Sequence, residues 1–194
     1  SEHVKFLVDA IAGKKCIEIS HKGLAATSKE KTVTGLPLLI KEYNNGWYTG
    51  WYLLFQEITD LQTRISLDKL RLFALDRIES IRLSQTTYKT RIHPNFQPSD
   101  FFKNNVGLFR GTGAAERIVI QLQENSWIKE YITKYPIHAS QKSIDTLHFE
   151  LSLEINEELE NFLLRYSTEI QVIEPLILRE KVRKKLETAL SHYQ

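Results

Sequence analysis

The chain reads as an α+β protein: a small β-barrel of the Sm or SH3 kind with a leading helix, then a ferredoxin-like βαββαβ domain and a C-terminal helix. Three observations predict this. Five or so short strand-like runs follow a single helical pattern in the first half. A polar stretch from Thr86 to Val106, carrying Pro94 and Pro98, interrupts the pattern as a domain boundary does. The second half then alternates strand and helix patterns in a regular order. The expected division is residues 1–90 for the barrel, 91–106 for a linker and 107–194 for the second domain.

Val4, Leu7, Val8 and Ile11 recur at helical spacing, and Gly13 is placed to end that helix with a left-handed residue. A strand is expected over Lys15 to His21, with Ile17, Ile19 and His21 on one face. Residues 22–31 read as a loop. Thr32 to Tyr43 reads as a strand in which Gly35 and Pro37 mark a bulge or an edge. Asn44, Asn45 and Gly46 supply a hairpin turn, and the aromatic run Trp47 to Phe55 is the strand around which the barrel is built. Its two faces are both mostly apolar, as in the central strand of a closed barrel. Residues 57–69 read as a connection. Leu70 to Leu75 alternates as a strand, Asp76-Arg77 turns tightly, and Ile78, Ile81 and Leu83 resume apolar packing.

In the second half Ser99 is placed to cap a short helix over 100–105, closed by Gly107. Arg117 to Leu122 reads as a strand, Glu124 to Lys134 as a helix burying Trp127, Ile128, Tyr131 and Ile132, and His138 to Ile144 as an irregular strand. Leu147 to Ile155 alternates as a half-buried strand. Asn156 caps a helix striped by Leu159, Phe162, Leu163 and Tyr166, Ile170 to Ile173 is a fourth strand, and a last helix starts near Pro175 with Leu178, Val182, Leu186 and Leu190 on one face.

Composition narrows the function classes. No apolar run approaches the ~20 residues of a membrane span, and the first residues carry acids without a basic start or cleavage site, unlike a signal peptide. One cysteine, Cys16, suits a reducing compartment, and a cytoplasmic location is expected. Residues 1–95 hold 14 Lys and Arg against 10 Asp and Glu, the remainder 12 against 14. The first half is thus the basic one, which permits an anionic partner. Catalysis is not expected. Cys16 sits mid-strand, no CxxC or HExxH occurs, Gly111-Thr112-Gly113 lacks the lysine of a phosphate loop, and His138 and Ser140 have no orienting acid beside them. No metal site and no cofactor are expected.

Several runs carry a resemblance. PLLIKEYNNGWY at 37–48 and FALDRI at 73–78 resemble bacterial WYL-domain proteins. VGLF at 106–109, YPIHASQ at 135–141 and EELENFLLRYSTEIQVIEPLILREKV at 157–182 resemble the WCX extension that follows the WYL barrel in many members. The resemblance implies an Sm-like barrel and a transcriptional regulator that binds DNA through a winged helix-turn-helix preceding the barrel. No such segment precedes it here, so the chain is expected to be a fragment of a longer protein, which also begins at Ser1 and contains no Met. The Trp-Tyr-Leu triplet falls either on Trp47, Tyr48 and Thr49 by spacing from Pro37, or on the literal triplet at Trp51, Tyr52 and Leu53. A tyrosine usual at the end of the first barrel strand corresponds to His21, and a basic residue usual before the proline finds Lys31 as its nearest counterpart.

The candidate ligand site combines these with the charges of neighbouring strands. Two tryptophans and two tyrosines within six residues, Trp47, Tyr48, Trp51 and Tyr52, form a recognition surface or a barrel core with polar tips at its rim. Arg71, Arg77, Lys41 and His21, with a tyrosine hydroxyl, would make a cationic, aromatic-walled site for a phosphate or nucleotide. The bland alternative pairs Asp76 with Arg77 and leaves Arg71 solvated. The expected function is regulatory: an anionic ligand such as a nucleotide or single-stranded nucleic acid, sensed in a homodimer. Direct single-strand binding and a pure protein-interaction module remain the alternatives.

Overall fold

The structure, a computed structural model, describes residues 2–25, 27–58, 70–85 and 97–194. The connection expected at 57–69 lies mostly outside the described residues, as does the first half of the expected boundary stretch. Two compact units are present, Ser1–Asp100 and Phe101–Gln194, each with its own antiparallel sheet. The chain is therefore α+β.

In the first unit α1 spans Glu2–Ala12 and buries Leu7 and Ala10, while Val8 stays exposed. The inward stripe thus runs through Leu7 and Ala10 rather than through Val8. Helix termination also differs by one residue from the expectation at Gly13. Lys14 is the left-handed residue, with φ of 47°. The amides of Lys14 and Lys15 donate to the carbonyls of Ile11 and Ala10, a Schellman pattern whose left-handed position is Lys14.

Five strands follow: β1 (Ile17–His21), β2 (Lys31–Asn44), β3 (Thr49–Glu57), β4 (Leu70–Ala74) and β5 (Ile78–Leu83). Their order in the sheet is β4-β3-β2-β1-β5, so β2 is central and the aromatic strand β3 lies beside it. The two outer strands are consecutive in sequence, joined by the 3-10 turn Leu75–Arg77. Strand β2 pairs with β1 through its first residues and with β3 from Gly35 onward, and its register shifts between Pro37 and Leu39. The bulge expected from Gly35 and Pro37 is present. Gly35 is required there, because a Cβ would overlap the Gln56 carbonyl oxygen of β3.

Both faces of β3 are buried. Leu53 and Phe55 join Leu7, Ile17, Ile19, Phe73 and Ile78 in one core, while Tyr52, Leu54 and Gln56 are enclosed on the opposite face. Trp47 and Tyr48, expected at the head of this strand, belong instead to the hairpin loop. The side-chain oxygens of Asn44 and Asn45 accept from the amides of Gly46, Trp47 and Tyr48, and Gly46 adopts φ of 97°.

The second unit contains β6 (Glu116–Leu122), α2 (Ile128–Lys134), β7 (Lys142–Ser143), β8 (His148–Leu153), α3 (Glu157–Arg165), β9 (Ile170–Glu174) and α4 (Leu176–Ser191), with strand order β7-β8-β6-β9. The helix expected over DFFKNN is a 3-10 turn at Pro98–Phe102, and the irregular strand from His138 shrinks to the two residues of β7. The core gathers Ile118, Ile120, Phe149, Leu151, Leu159, Leu163, Leu178 and their neighbours. Trp127 and Tyr131, expected inside, are 62% and 57% exposed, because α2 begins only at Ile128 and turns Ile128 and Ile132 to the sheet. On α4 Leu178 and Val182 are buried, but Leu186 and Leu190 line a groove of about 430 Å³ against β9.

The entry to α3 organises the preceding loop. Asn156 accepts from the Leu159 amide at 2.8 Å as the expected cap, and its Nδ2 donates to the carbonyls of Val106 and Phe109. Glu158 accepts the Leu108 and Phe109 amides. Glu154, buried, accepts the amides of Gly111 and Gly113 and the guanidinium of Arg110 at 3.0 Å. Two carboxylates and one amide thus hold the backbone of residues 106–113.

Candidate functional site

The end of the β2–β3 hairpin and the turn after β4 meet in the first unit. Tyr43, near the end of β2, stands opposite Gly50 in register, and Lys41 stands opposite Tyr52. Because Gly50 has no side chain, the Tyr48 ring lies over it; a Cβ there would overlap the phenol. The rings of Tyr43 and Tyr48 sit 6.5 Å apart, and those of Tyr43 and Tyr52 meet edge to face at 5.8 Å. Trp47, 88% exposed, flanks Tyr48 at 6.4 Å.

The turn Leu75–Arg77 brings two charges to these phenols. The Tyr48 hydroxyl donates to Asp76 Oδ2 at 3.2 Å. Arg77 Nη2 donates to the Tyr52 hydroxyl at 3.4 Å, and its Nε lies 3.8 Å from Asp76 Oδ1. Both contacts of the guanidinium are long, so it is positioned but not saturated. Burial, the Asp76 carboxylate and the Tyr52 phenol together push the Tyr48 hydroxyl up to about 12.

His21 ends β1 beside this group. Its ring packs against Phe73 at 4.6 Å, and it pairs in register with Lys31. Its pKa is lowered by burial first, then by the positive charges of Lys31 and Arg77, against the opposing pull of Glu57. Lys31 is exposed and Arg77 half-buried. The field at His21 is therefore positive.

Of the nine residues named from the sequence, Tyr48, Tyr52 and Arg77 converge, Trp47 flanks them, Lys41 is registered beside Tyr52, Lys31 adds its charge from β2, and His21 on β1 feels that charge as a ring kept neutral. Arg71 and Trp51 do not join them. Arg71 reaches Glu57 at 3.6 Å on an exposed part of β4, and Trp51 has the opposite parity to Tyr52 on β3. Asp76 and Tyr43 were not among those nine. The signal for Tyr43 was Gly50: a glycine across a strand pair leaves a space that neighbouring rings fill.

Elsewhere His138 Nδ1 and Ser140 Oγ are 2.8 Å apart, but Ser140 is bound to the backbone of Ser152 on both its donor and acceptor sides, which ties the loop to β8. Burial pushes the Cys16 thiol up. The basic helix α4 spends much of its charge internally: Arg183 pairs with Glu180 and Glu187, and Lys181 and Lys185 hold Glu160 at 3.1 and 2.7 Å. Among the described residues no helix is long and apolar enough to cross a membrane, and no three His, Cys, Asp or Glu side chains are grouped to hold a metal ion.

Residues 114–190 match the family model of the WCX domain. No curated protein matches the chain. Among solved structures, proteasome accessory factor B/C (PafBC) of Arthrobacter aurescens is similar with a TM-score of 0.40 and 15% identity, over 97% of this chain and 27% of its own. A CRISPR Cas-related protein is similar with a TM-score of 0.56 and 9% identity, over 97% of this chain and 50% of its own. The chain spans about a quarter of the first and half of the second, and the second likeness is one of fold alone.

Proposed function

We propose that this chain, which carries a WCX domain over residues 114–190, is the regulatory part of a WYL-type transcriptional regulator whose first unit receives an anionic ligand. The strand order β4-β3-β2-β1-β5, with the outer strands joined by one 3-10 turn, supports reading that unit as an Sm-like barrel. The order β7-β8-β6-β9, interleaved with α2 and α3, likewise supports a ferredoxin-like second domain. The observation that carries the ligand reading is the Arg77 guanidinium, held loosely between Tyr52 and Asp76, with Lys31 and His21 close enough to act on one another electrostatically. A phosphate entering there exchanges the weak Asp76 contact for a two-pronged one and finds phenols at its sides. In the whole protein, occupancy would bias a homodimer between arrangements that differ in DNA affinity.

The experiment is a calorimetric titration of the chain with nucleoside monophosphates, nucleoside diphosphates and short oligonucleotides at two salt concentrations. A saturable nucleotide response lost in Arg77→Ala supports the reading. Binding that needs an oligonucleotide several residues long and weakens steeply with salt places the chain with direct single-strand binders instead. Silence throughout leaves it an interaction module.

A further inference from the structure

The second unit carries a row of aromatic rings, of which Phe162 and Tyr166 pack partly against its core while Trp127, Tyr131 and Tyr135 stand outside it. Phe162 and Tyr166 are 5.1 Å apart, Tyr166 and Trp127 6.3 Å, Trp127 and Tyr131 6.3 Å, and Tyr131 and Tyr135 5.1 Å. This is an unbroken series of five rings across the seam of α2 and α3. Trp127, Tyr131 and Tyr135 are each more than half exposed. Their spacing of four residues explains the row. Trp127 caps the start of α2, Tyr131 sits within it and Tyr135 caps its end, beside the flank on which Ile128 and Ile132 face the sheet, so the helix presents rings at its margin. Cations stand beside two of the rings: Lys134 Nζ lies 5.3 Å from the Tyr135 ring centre and the Arg165 guanidinium 5.6 Å from that of Tyr166.

We propose that this seam is a stacking platform for single-stranded nucleic acid, with bases on Trp127, Tyr131 and Tyr135 and phosphates on Lys134 and Arg165. The exposed apolar surface here is aromatic, whereas the large exposed aliphatics of this unit, Ile144, Leu176, Ile177, Leu186 and Leu190, lie on other elements. A protein partner that buried greasy side chains would be met by aliphatic surface as well. Flat rings with cations beside them match flat bases on a charged backbone, and such stacking tolerates any sequence. The seam belongs to the WCX domain and uses none of the residues around Arg77.

The test uses the whole chain with Trp47→Phe and Trp51→Phe, which leaves Trp127 as the sole tryptophan. Adding a ten-residue oligothymidylate at low salt is expected to quench Trp127 saturably, with affinity falling as salt rises. Tyr131→Ala, at an exposed site, is expected to weaken binding about tenfold, as loss of one stacked base does, and Lys134→Glu to flatten the salt dependence. Arg77→Ala in the same background is expected to leave the quench in place, which separates failure of this site from failure of the barrel site. Unchanged Trp127 emission, a quench abolished by Arg77→Ala, or a quench by a proline-rich peptide and not by the oligonucleotide would each overturn the proposal.

Discussion

The Tyr48 hydroxyl donates to Asp76 across 3.2 Å, tying the β2–β3 hairpin loop to the turn that ends β4. The bond favours the neutral phenol, because ionisation would set two anions side by side. With its pKa at about 12, Tyr48 titrates later than a tyrosine at the ordinary 10.0. This raised value stabilises the fold fully below the unfolded pKa and is lost as pH rises through the folded one. Absorbance titration should show one tyrosine ionising late, and Asp76→Asn should bring it back toward 10.

Two glycines should answer differently to the same substitution. Gly50→Ala pushes against the Tyr48 phenol, the far end of a side chain that can swing away. Stability should fall by less than about 1 kcal/mol while the late tyrosine disappears. Gly35→Ala pushes against the Gln56 carbonyl, which is fixed backbone in the sheet. Urea melts should show a loss of roughly 1–3 kcal/mol, the cost of overpacking a site that cannot relax.

How far the sequence foretold this varies with the kind of signal. Strand existence was legible from alternation, and the bulge from Gly35 and Pro37, because these patterns are local. The turn at Asn44-Asn45-Gly46 was legible for the same reason, although the loop extends through Tyr48, which the run of β-formers concealed. Convergence of Arg77 with Tyr52 was half legible, whereas the pairing of Arg71 with Glu57 was not, because one strand's alternation does not say what its neighbour presents beside it. Trp127 and Tyr131 were misplaced by treating aromatic size as a sign of burial, when the starting residue of α2 decides it. The carboxylates Glu154 and Glu158 gave no local signal, since their partners lie more than forty residues away.

His21 reports the potential of the candidate site. Burial together with Lys31 and Arg77 holds its pKa below the ordinary 6.5. The neutral ring is the one the fold favours, so its contribution is present above the unfolded value and lost as pH falls through the folded value. NMR titration should find His21 below the ordinary 6.5, and Arg77→Ala should raise it. Added inorganic phosphate or a nucleoside monophosphate should raise it too if the anion lodges between Arg77 and Lys31; an unmoved His21 at saturating nucleotide argues against that placement.

Lys14 occupies the left-handed position that closes α1, at φ of 47°. A side chain there crowds the following carbonyl, a strain that glycine does not have. Lys14→Gly should therefore stabilise the first unit by about 0.5–1 kcal/mol, net of the extra freedom glycine brings to the unfolded chain. Gly13→Ala tests the same assignment, since Gly13 is outside the left-handed region and alanine there should not produce the penalty of a left-handed site. Chemical denaturation of the two variants against the parent reads both.

Glu154 makes the second unit sensitive to acid. Burial opposes its ionisation, but the Gly111 amide, Arg110 and the Gly113 amide outweigh burial and hold its carboxyl below the usual 4.5. A lowered carboxylate pKa contributes stability above the unfolded value and loses it as pH falls through the folded one. Glu154→Gln keeps the shape, removes the charge and turns a donating amide toward groups that themselves donate, so the loop at 106–113 should loosen. Stability should fall by about 3–5 kcal/mol at pH 7, as when one partner of a buried ion pair is removed, and by progressively less as pH drops through the carboxylate range. Urea melts at pH 7 and pH 3 read that difference. Equal losses at both pH values would mean that the Glu154 charge does not hold this loop.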